Sequence, residues 1–224
     1  MSSGENGVRR LGIVGAGRVG TTIARAAIAA GYDVGISGSG PAERIALVVD
    51  VLAPGARALS TNEVVRQTDL IVLAVPMHRV RDLPHDLFAG KILIDATNYW
   101  EDIDGIDPEL AIAPAGTSAV VRAWFPSARV VKSLNHITYY KFDEGRRPQG
   151  APGRLAIAAA GDDRAAVAVV MQLIDRLGFD AVDAGPLEAG VALEPDGSVF
   201  GAAYSADEMS SVLSSYRLTR DMSA

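Results

Sequence analysis

The chain contains no cysteine among its 224 residues. It therefore has no disulfide, no thiolate ligand for a metal ion and no cysteine nucleophile, which agrees with a reducing compartment. Long hydrophobic runs are also missing, because no apolar stretch reaches the roughly 20 residues that span a membrane. The first residues, MSSGENGVRR, lack the apolar core of a signal peptide. We expect residues 1–8 to form a flexible leader and the protein to be cytoplasmic.

Basic charge is scarce, since 21 Lys and Arg face 27 Asp and Glu and the net charge is −6. Nucleic acids and anionic membranes usually require a basic face, so we expect neither as a partner, and the expected partner is a small-molecule substrate. No spacing of ligating residues indicates a metal site. The 49% of hydrophobic residues is ordinary for a folded globular protein.

Short apolar runs alternate with segments of helical spacing along the chain. RLGIV (10–14), DLIVLAV (69–75) and KILIDA (91–96) are typical of buried strands, and residues 18–30 have a helical apolar spacing. This alternation predicts a Rossmann-like α/β fold, in which a doubly wound, mainly parallel sheet carries helices on both faces and a small C-terminal extension follows. Residues 139–153 interrupt the rhythm with glycine, proline and charge, and we predict a long functional loop there.

The sequence GAGRVG, residues 15–20, directly follows the first predicted strand and opens a helix. Its glycines fit the dinucleotide-binding pattern, in which they permit a tight turn, close approach of a pyrophosphate and close helix packing. The helix N-terminus would add free amide groups for the phosphates. The alternative is a glycine turn without a ligand. The predicted cofactor-binding residues of this loop are Gly15, Ala16, Gly17, Arg18, Val19 and Gly20.

The end of the second predicted strand distinguishes the two nicotinamide dinucleotides. NAD-binding chains place a carboxylate there for the adenosine ribose, whereas this chain continues as SGSG from Ser37. Hydroxyl groups, open amides and a nearby arginine suit a ribose 2′-phosphate, so we predict NADP. Alternatively, the serines only turn the chain and the arginines are solvated. The predicted contacts are Ser37, Gly38 and Ser39, with charge supplied by Arg18 or Arg44.

Four further motifs follow the glycine loop in a fixed order. They are AVPMHRV (74–80), IDATNYW (94–100), ARVVKSLNHI (128–137) and DAGPLEAG (183–190). Together with GIVGAGRVG they resemble the NADP oxidoreductases that work with coenzyme F420, an 8-hydroxy-5-deazaflavin. The resemblance extends from about residue 9 to about residue 190.

The resemblance implies an NADP-binding Rossmann domain over residues 9–136 and a smaller α/β segment over 137–224 that closes a cleft for the deazaflavin. It also implies a homodimer, to which the tail helix with Val212 and Leu213 could contribute. Residues expected near the nicotinamide are Val75, Pro76, Met77, His78, Thr97 and Asn98. Asn135 and His136 are the candidates for contacting the deazaflavin ring or a substrate carbonyl.

Hydride transfer needs placement more than side-chain chemistry, so the missing catalytic triad is expected. Two places depart from the family pattern. Gly40 stands where family members carry an arginine, and LEPDGSVFGAAY (193–204) contains turn-forming Pro195 and Gly197 where they continue as helix. Two alternative functions stay open: an NADPH-dependent reductase of a flavin or a small carbonyl compound, and a non-catalytic NADP(H)-binding sensor.

Overall fold

The computed structural model describes residues 10–221, with side chains as far as residue 218. The predicted leader, residues 1–8, lies outside the described residues. The strands are β1 Arg10–Val14, β2 Asp33–Ser37, β3 Arg57–Ala58, β4 Leu70–Leu73, β5 Ile92–Asp95, β6 Arg129–Ser133, β7 Ala156–Ala160 and β8 Asp180–Gly185. The α-helices are α1 Arg18–Ala29, α2 Glu43–Leu52, α3 Thr61–Gln67, α4 Met77–Val80, α5 Glu101–Asp104, α6 Pro108–Ala111, α7 Thr117–Trp124, α8 Tyr139–Gly145, α9 Arg164–Arg176 and α10 Ala206–Asp221.

All eight described strands form one sheet in the order β3-β2-β1-β4-β5-β6-β7-β8. Neighbouring strands are parallel except β6 and β7, which pair in opposite directions. The predicted Rossmann-like, mainly parallel fold is confirmed. The strand order reverses between β1 and β4, and a ligand crevice forms at such a switch point beyond the carboxyl ends of the strands.

Alternate residues of the central strands face opposite sides of the sheet. Leu70 and Val72 of β4 join the apolar cluster under α1 and α9, whereas Ile71 and Leu73 join the cluster under α3 and α7. Because both faces are covered, these strands are apolar throughout. A third cluster packs α10 against β7 and β8.

The prediction of a long loop over 139–153 is wrong in its first half, because α8 occupies residues 139–145. The Thr138 side chain caps this helix by accepting the backbone N–H of Lys141 at 3.3 Å. Phe142 is buried against Phe179, with ring centroids 4.8 Å apart. The cap by Thr138 and the burial of Phe142 thus stabilise a helix here, although the residues that follow have a composition that disfavours one.

Two arginines follow α8, and both contact backbone carbonyl groups. In the structure the Arg146 Nε donates to the Leu177 carbonyl at 2.9 Å, and Arg147 donates to the Glu144 carbonyl at 2.6 Å. Both side chains therefore hold the loop against the fold.

The C-terminal helix α10 begins at a capping box formed by Ser205 and Glu208. Leu213 is buried and Val212 is partly buried against β7 and β8. Leu213 is therefore used inside the chain, whereas part of Val212 stays accessible, and a contribution of this helix to a subunit contact stays a prediction. The homodimer itself stays a prediction.

Candidate functional site

The glycine loop joins β1 to α1 at the switch point of the sheet. Gly15 has a φ of 125°, and a Cβ atom there would overlap the Ala74 carbonyl. A Cβ atom on Gly20 would overlap the carbonyl oxygen of Gly15. Around Gly17, by contrast, no atom lies within 4 Å of the place that a Cβ would take. Gly15 and Gly20 therefore permit close packing, and Gly17 leaves room for a ligand.

A cavity of about 640 Å³ opens at this loop, within the range of small-molecule sites. We call it the dinucleotide cavity. Of the residues predicted to bind the cofactor, those that line it are Gly15, Ala16, Gly17, Gly38, Ser39, Val75, Pro76 and His78. No side chain caps α1, so the first amide groups of this helix keep their capacity to bind an anion.

The two serines after β2 lie in different environments. Ser39 lines the dinucleotide cavity, but Ser37 is fully buried and accepts a hydrogen bond from the Thr61 hydroxyl at 3.2 Å. This placement contradicts direct contact of Ser37 with a 2′-phosphate, because the last residue of a covered parallel strand has no free face. Thr61, at the start of α3, lines the cavity instead. Thr61 was not predicted, because only the capping residue before it forms a recognisable motif.

The two arginines predicted to supply charge also lie in different places. Arg44 lies against Gly40 in the loop after β2, where a Cβ on the glycine would be 3.3 Å from its side chain. Arg18 donates to the Tyr139 hydroxyl at 3.2 Å, and its guanidinium carbon lies 5.7 Å from the centre of that ring. Arg79 lines the dinucleotide cavity and was not predicted. Arg44 and Arg79 are therefore the better-placed cations.

His78 begins the second wall of the cavity, after β4. Its Nδ1 and its backbone N–H both contact one carboxylate oxygen of Asp104, at 2.9 and 3.0 Å. The other oxygen accepts the backbone N–H of Trp100 at 2.9 Å. The Asp104 side chain is 2% exposed, whereas that of His78 is 42% exposed. A buried carboxylate thus orients an accessible imidazole, and its location in the acidic run EDID did not reveal this role.

Met77, the residue before His78, is fully buried and does not line the cavity. Its sulfur accepts the Thr97 hydroxyl at 3.7 Å. The predicted contact between Met77 and the nicotinamide is therefore wrong, because the Met77 side chain points into the core and contacts Thr97.

Thr97, after β5, is held by a buried ion pair. Asp95 accepts the Thr97 backbone N–H at 3.0 Å and its hydroxyl at 2.6 Å. Lys132, on β6, donates to the Thr97 carbonyl at 2.7 Å and lies 3.3 Å from Asp95. Both charged side chains are fully buried. Thr97 therefore uses its polar groups internally and fixes the backbone that leads to Asn98.

Asn98 and Asn135 join the carboxyl ends of β5 and β6. The Asn135 amide nitrogen donates to the Asn98 side-chain oxygen at 2.9 Å and to the Leu193 carbonyl at 2.6 Å. The Asn98 amide donates in return to the Asn135 carbonyl at 3.0 Å. The Asn135 side-chain oxygen is buried and has no partner among the described residues. A buried acceptor without a donor is uncommon in folded proteins.

His136 is buried, and its Nε2 accepts the backbone N–H of Ala158 at 3.2 Å. Burial first, and the charge of Lys132 second, lower its pKa from 6.5 to about 3. The imidazole is therefore neutral at physiological pH and carries its hydrogen on Nδ1, which has no partner among the described residues. His136 cannot donate a proton to a substrate without leaving this position.

No group of three or more metal-ligating side chains occurs within residues 10–218. In the described helices, no segment is long and apolar enough to cross a membrane.

The comparisons with known proteins agree with this geometry. The model of the family "NADP oxidoreductase coenzyme F420-dependent" matches residues 10–99. A crystal structure from Arthrobacter sp. FB24, assigned as an F420-dependent NADP reductase, is 27% identical, with a TM-score of 0.68 over 81% of this chain and 86% of that one. The protein SMa0349 of Sinorhizobium meliloti shares the fold, with a TM-score of 0.73 and 24% identity over 87% of this chain and 94% of its own.

The protein YjhV of Escherichia coli K12 is 45% identical over 53 residues. These cover 24% of this chain and 39% of YjhV, so the aligned stretch spans well under half of that relative. The family match covers the glycine loop, the segment after β2, Thr61 and the segment after β4, and these line the dinucleotide cavity. Residues 10–99 therefore match the family of coenzyme F420-dependent NADP oxidoreductases, and this match supports the enzyme class of NADP-dependent oxidoreductase.

Proposed function

We propose that the protein transfers a hydride between NADP(H) and coenzyme F420. The observation that carries this proposal is the family match over the segments that form the dinucleotide cavity. The similarity to the Arthrobacter protein supports it over most of the chain.

The cavity fits a dinucleotide with a 2′-phosphate. Gly17 leaves space where any side chain would project, and α1 begins there without a side-chain cap. We propose that the pyrophosphate binds at this helix N-terminus. Ser39 would donate to the 2′-phosphate, with Arg44 and Arg79 supplying charge. Asp82, the carboxylate that lines this cavity, lies 3.3 Å from Arg79, so it is already paired.

The nicotinamide would lie toward the ends of β5 and β6. The hydrogen bonds between Asn98 and Asn135 would fix the backbone at the ends of β5 and β6, against which the two rings would lie. The buried pair of Asp95 and Lys132 holds the preceding backbone rigid, so Asn98 keeps its bond to Asn135. Positioning of this kind is the main contribution of a protein to hydride transfer.

When bound, the coenzymes supply the redox chemistry, in which NADPH, F420 and one proton yield NADP⁺ and reduced F420. The chain's own residues bind, orient and exclude water. His136 is unsuited to supply the proton because its imidazole is neutral, buried and bonded to Ala158. We propose that the proton comes from solvent or through His78, whose Nε2 is free of partners among the described residues.

The direct test mixes the purified protein with NADPH and oxidised F420 and follows the absorbance of both coenzymes. We expect NADPH and F420 to be consumed in equal amounts, and NADH to react at least about tenfold more slowly. Tight NADPH binding by calorimetry with no oxidation would contradict the proposal and favour the sensor. Oxidation of NADPH by a flavin or a small carbonyl compound, but not by F420, would favour the alternative reductase.

A further inference from the structure

A second cavity, of about 490 Å³, lies between the segment after β5, the start of α7, residues 191–197 and α10. We call it the acidic cavity. Its charged and aromatic lining consists of Tyr99, Trp100, Glu101, Glu194, Asp196 and Tyr216. One wall is residues 194–197, which lie in the segment 193–204 that departs from the family pattern. The cavity is therefore a feature of this chain that the dinucleotide site does not require.

The cavity is negatively charged without a counter-ion in the described part of the chain. Glu101, Glu194 and Asp196 line it, and no lysine or arginine does. Glu194 is held in place, because one of its oxygens accepts the backbone N–H and the hydroxyl of Thr117 at 2.7 and 2.8 Å. Like charges that share a cleft raise the local concentration of cations and repel anions such as a dinucleotide.

Three aromatic side chains, Tyr99, Trp100 and Tyr216, form another part of the wall. The backbone N–H of Trp100 is held by the buried Asp104, and its ring packs edge-on against Phe200 with centroids 5.9 Å apart. Aromatic faces next to carboxylates attract organic cations through the ring quadrupole. A metal ion is less suitable, since no cluster of three ligating side chains exists among residues 10–218.

We propose that the acidic cavity binds a small organic cation, such as a compound with an ammonium or iminium group. This site is additional to the NADP and F420 sites and does not depend on them. The acidic cavity lies next to the carboxyl end of β6, because the Asn135 amide donates to the carbonyl of Leu193, the residue before Glu194.

The test uses choline as a cationic probe and dimethylbutanol, its uncharged carbon analogue, as the matched control. Trp100 and Trp124 are the two tryptophans of the chain, so a Trp124→Phe background makes fluorescence report on the acidic cavity. We expect choline to change Trp100 fluorescence saturably and to bind at least about tenfold more tightly than dimethylbutanol. Equal binding of the two probes, or no saturable change with choline, would overturn the proposal.

Charge-neutral variants separate this site from general electrostatic attraction. Glu194→Gln keeps an oxygen that can accept from Thr117 but removes the charge, and we expect choline affinity to fall roughly three- to tenfold. The matched control is Glu188→Gln, because Glu188 is exposed nearby but does not line the cavity. An equal loss in both variants would contradict a specific site. NADPH affinity should stay unchanged in both, so failure here leaves the proposed function intact.

Discussion

Gly17 and Gly20 lie three positions apart in one motif but differ in what surrounds them. At Gly17 a methyl group would enter open space, and the backbone, with a φ of −81°, tolerates alanine. At Gly20 the same group would overlap the Gly15 carbonyl. One substitution therefore tests ligand binding, and the other tests packing.

We expect Gly17→Ala to weaken NADPH binding roughly tenfold or more, because the methyl group occupies space proposed for the pyrophosphate. Its melting temperature should stay within a few degrees of the parent, whereas Gly20→Ala should lose about 2 kcal/mol or more of stability. Calorimetric titration and thermal unfolding measure the two effects. Unchanged NADPH affinity in a folded Gly17→Ala protein would rule out the placement of the pyrophosphate.

Ser39 offers a second test at the residue scale. Ser39→Asp would place a carboxylate at the end of β2, where it repels a 2′-phosphate and accepts from a free ribose. We expect NADPH affinity to fall at least about tenfold relative to NADH affinity. The control is Ser37→Ala, which changes a buried hydroxyl outside the cavity and should leave that ratio unchanged. If the ratio of NADPH to NADH affinity changed in Ser37→Ala but not in Ser39→Asp, the roles assigned to the two serines would be reversed.

The buried His136 predicts a pH dependence of stability. Its folded-state pKa of about 3 is below the ordinary 6.5. Between these two pH values the histidine is protonated in the unfolded chain but neutral in the folded chain. Stability is therefore present above about pH 6.5 and is lost as the pH falls toward 3, by about 1 kcal/mol per unit. Denaturant unfolding between about pH 6 and 5 isolates this window from most carboxyl titrations. His136→Gln should flatten the slope, whereas His85→Gln should retain it.

At the scale of elements, the buried pair of Asp95 and Lys132 joins β5 to β6 through the Thr97 backbone. Lys132→Met leaves Asp95 as an uncompensated buried charge, and we expect a loss of about 3 kcal/mol or more in urea unfolding. The double variant Asp95→Asn, Lys132→Met should recover most of it, since no buried charge then remains. A double variant as unstable as the single one would show that the charges are not coupled.

Helix α8 shows why a local pattern can mislead about an element. The glycine and proline after residue 145 dominate the composition of the segment, but its first turns depend on Thr138 and on burial of Phe142 against a distant phenylalanine. The capping boxes at Ser60 and Ser205 were predictable, because both partners lie within three residues. Signals that are complete within a few residues are readable, and those completed by tertiary contacts are not.

At the scale of the whole molecule, the same distinction separates what the sequence predicted from what it did not. Strand–helix alternation predicted the sheet, and the glycine motif predicted the cavity. The opposite direction of β7 was not predictable, since it depends on how α8 and the following loop return the chain. Three residues at or next to the site were not predicted, namely Thr61, Arg79 and Asp104. They come from other elements than the glycine loop, so no motif in the sequence indicates them.

The continuity of the sheet has a mechanical consequence. Strands from both sides of residue 136 are hydrogen-bonded through the pairs Lys132–Ala160 and Ser133–Ala159, and the Ser133 hydroxyl donates to the Ala158 carbonyl at 2.7 Å. A hinge between the two segments would have to break these bonds. Admission and release of substrate are therefore expected to depend on loops at the carboxyl edge of the sheet, and turnover should be governed by local gating instead of domain closure.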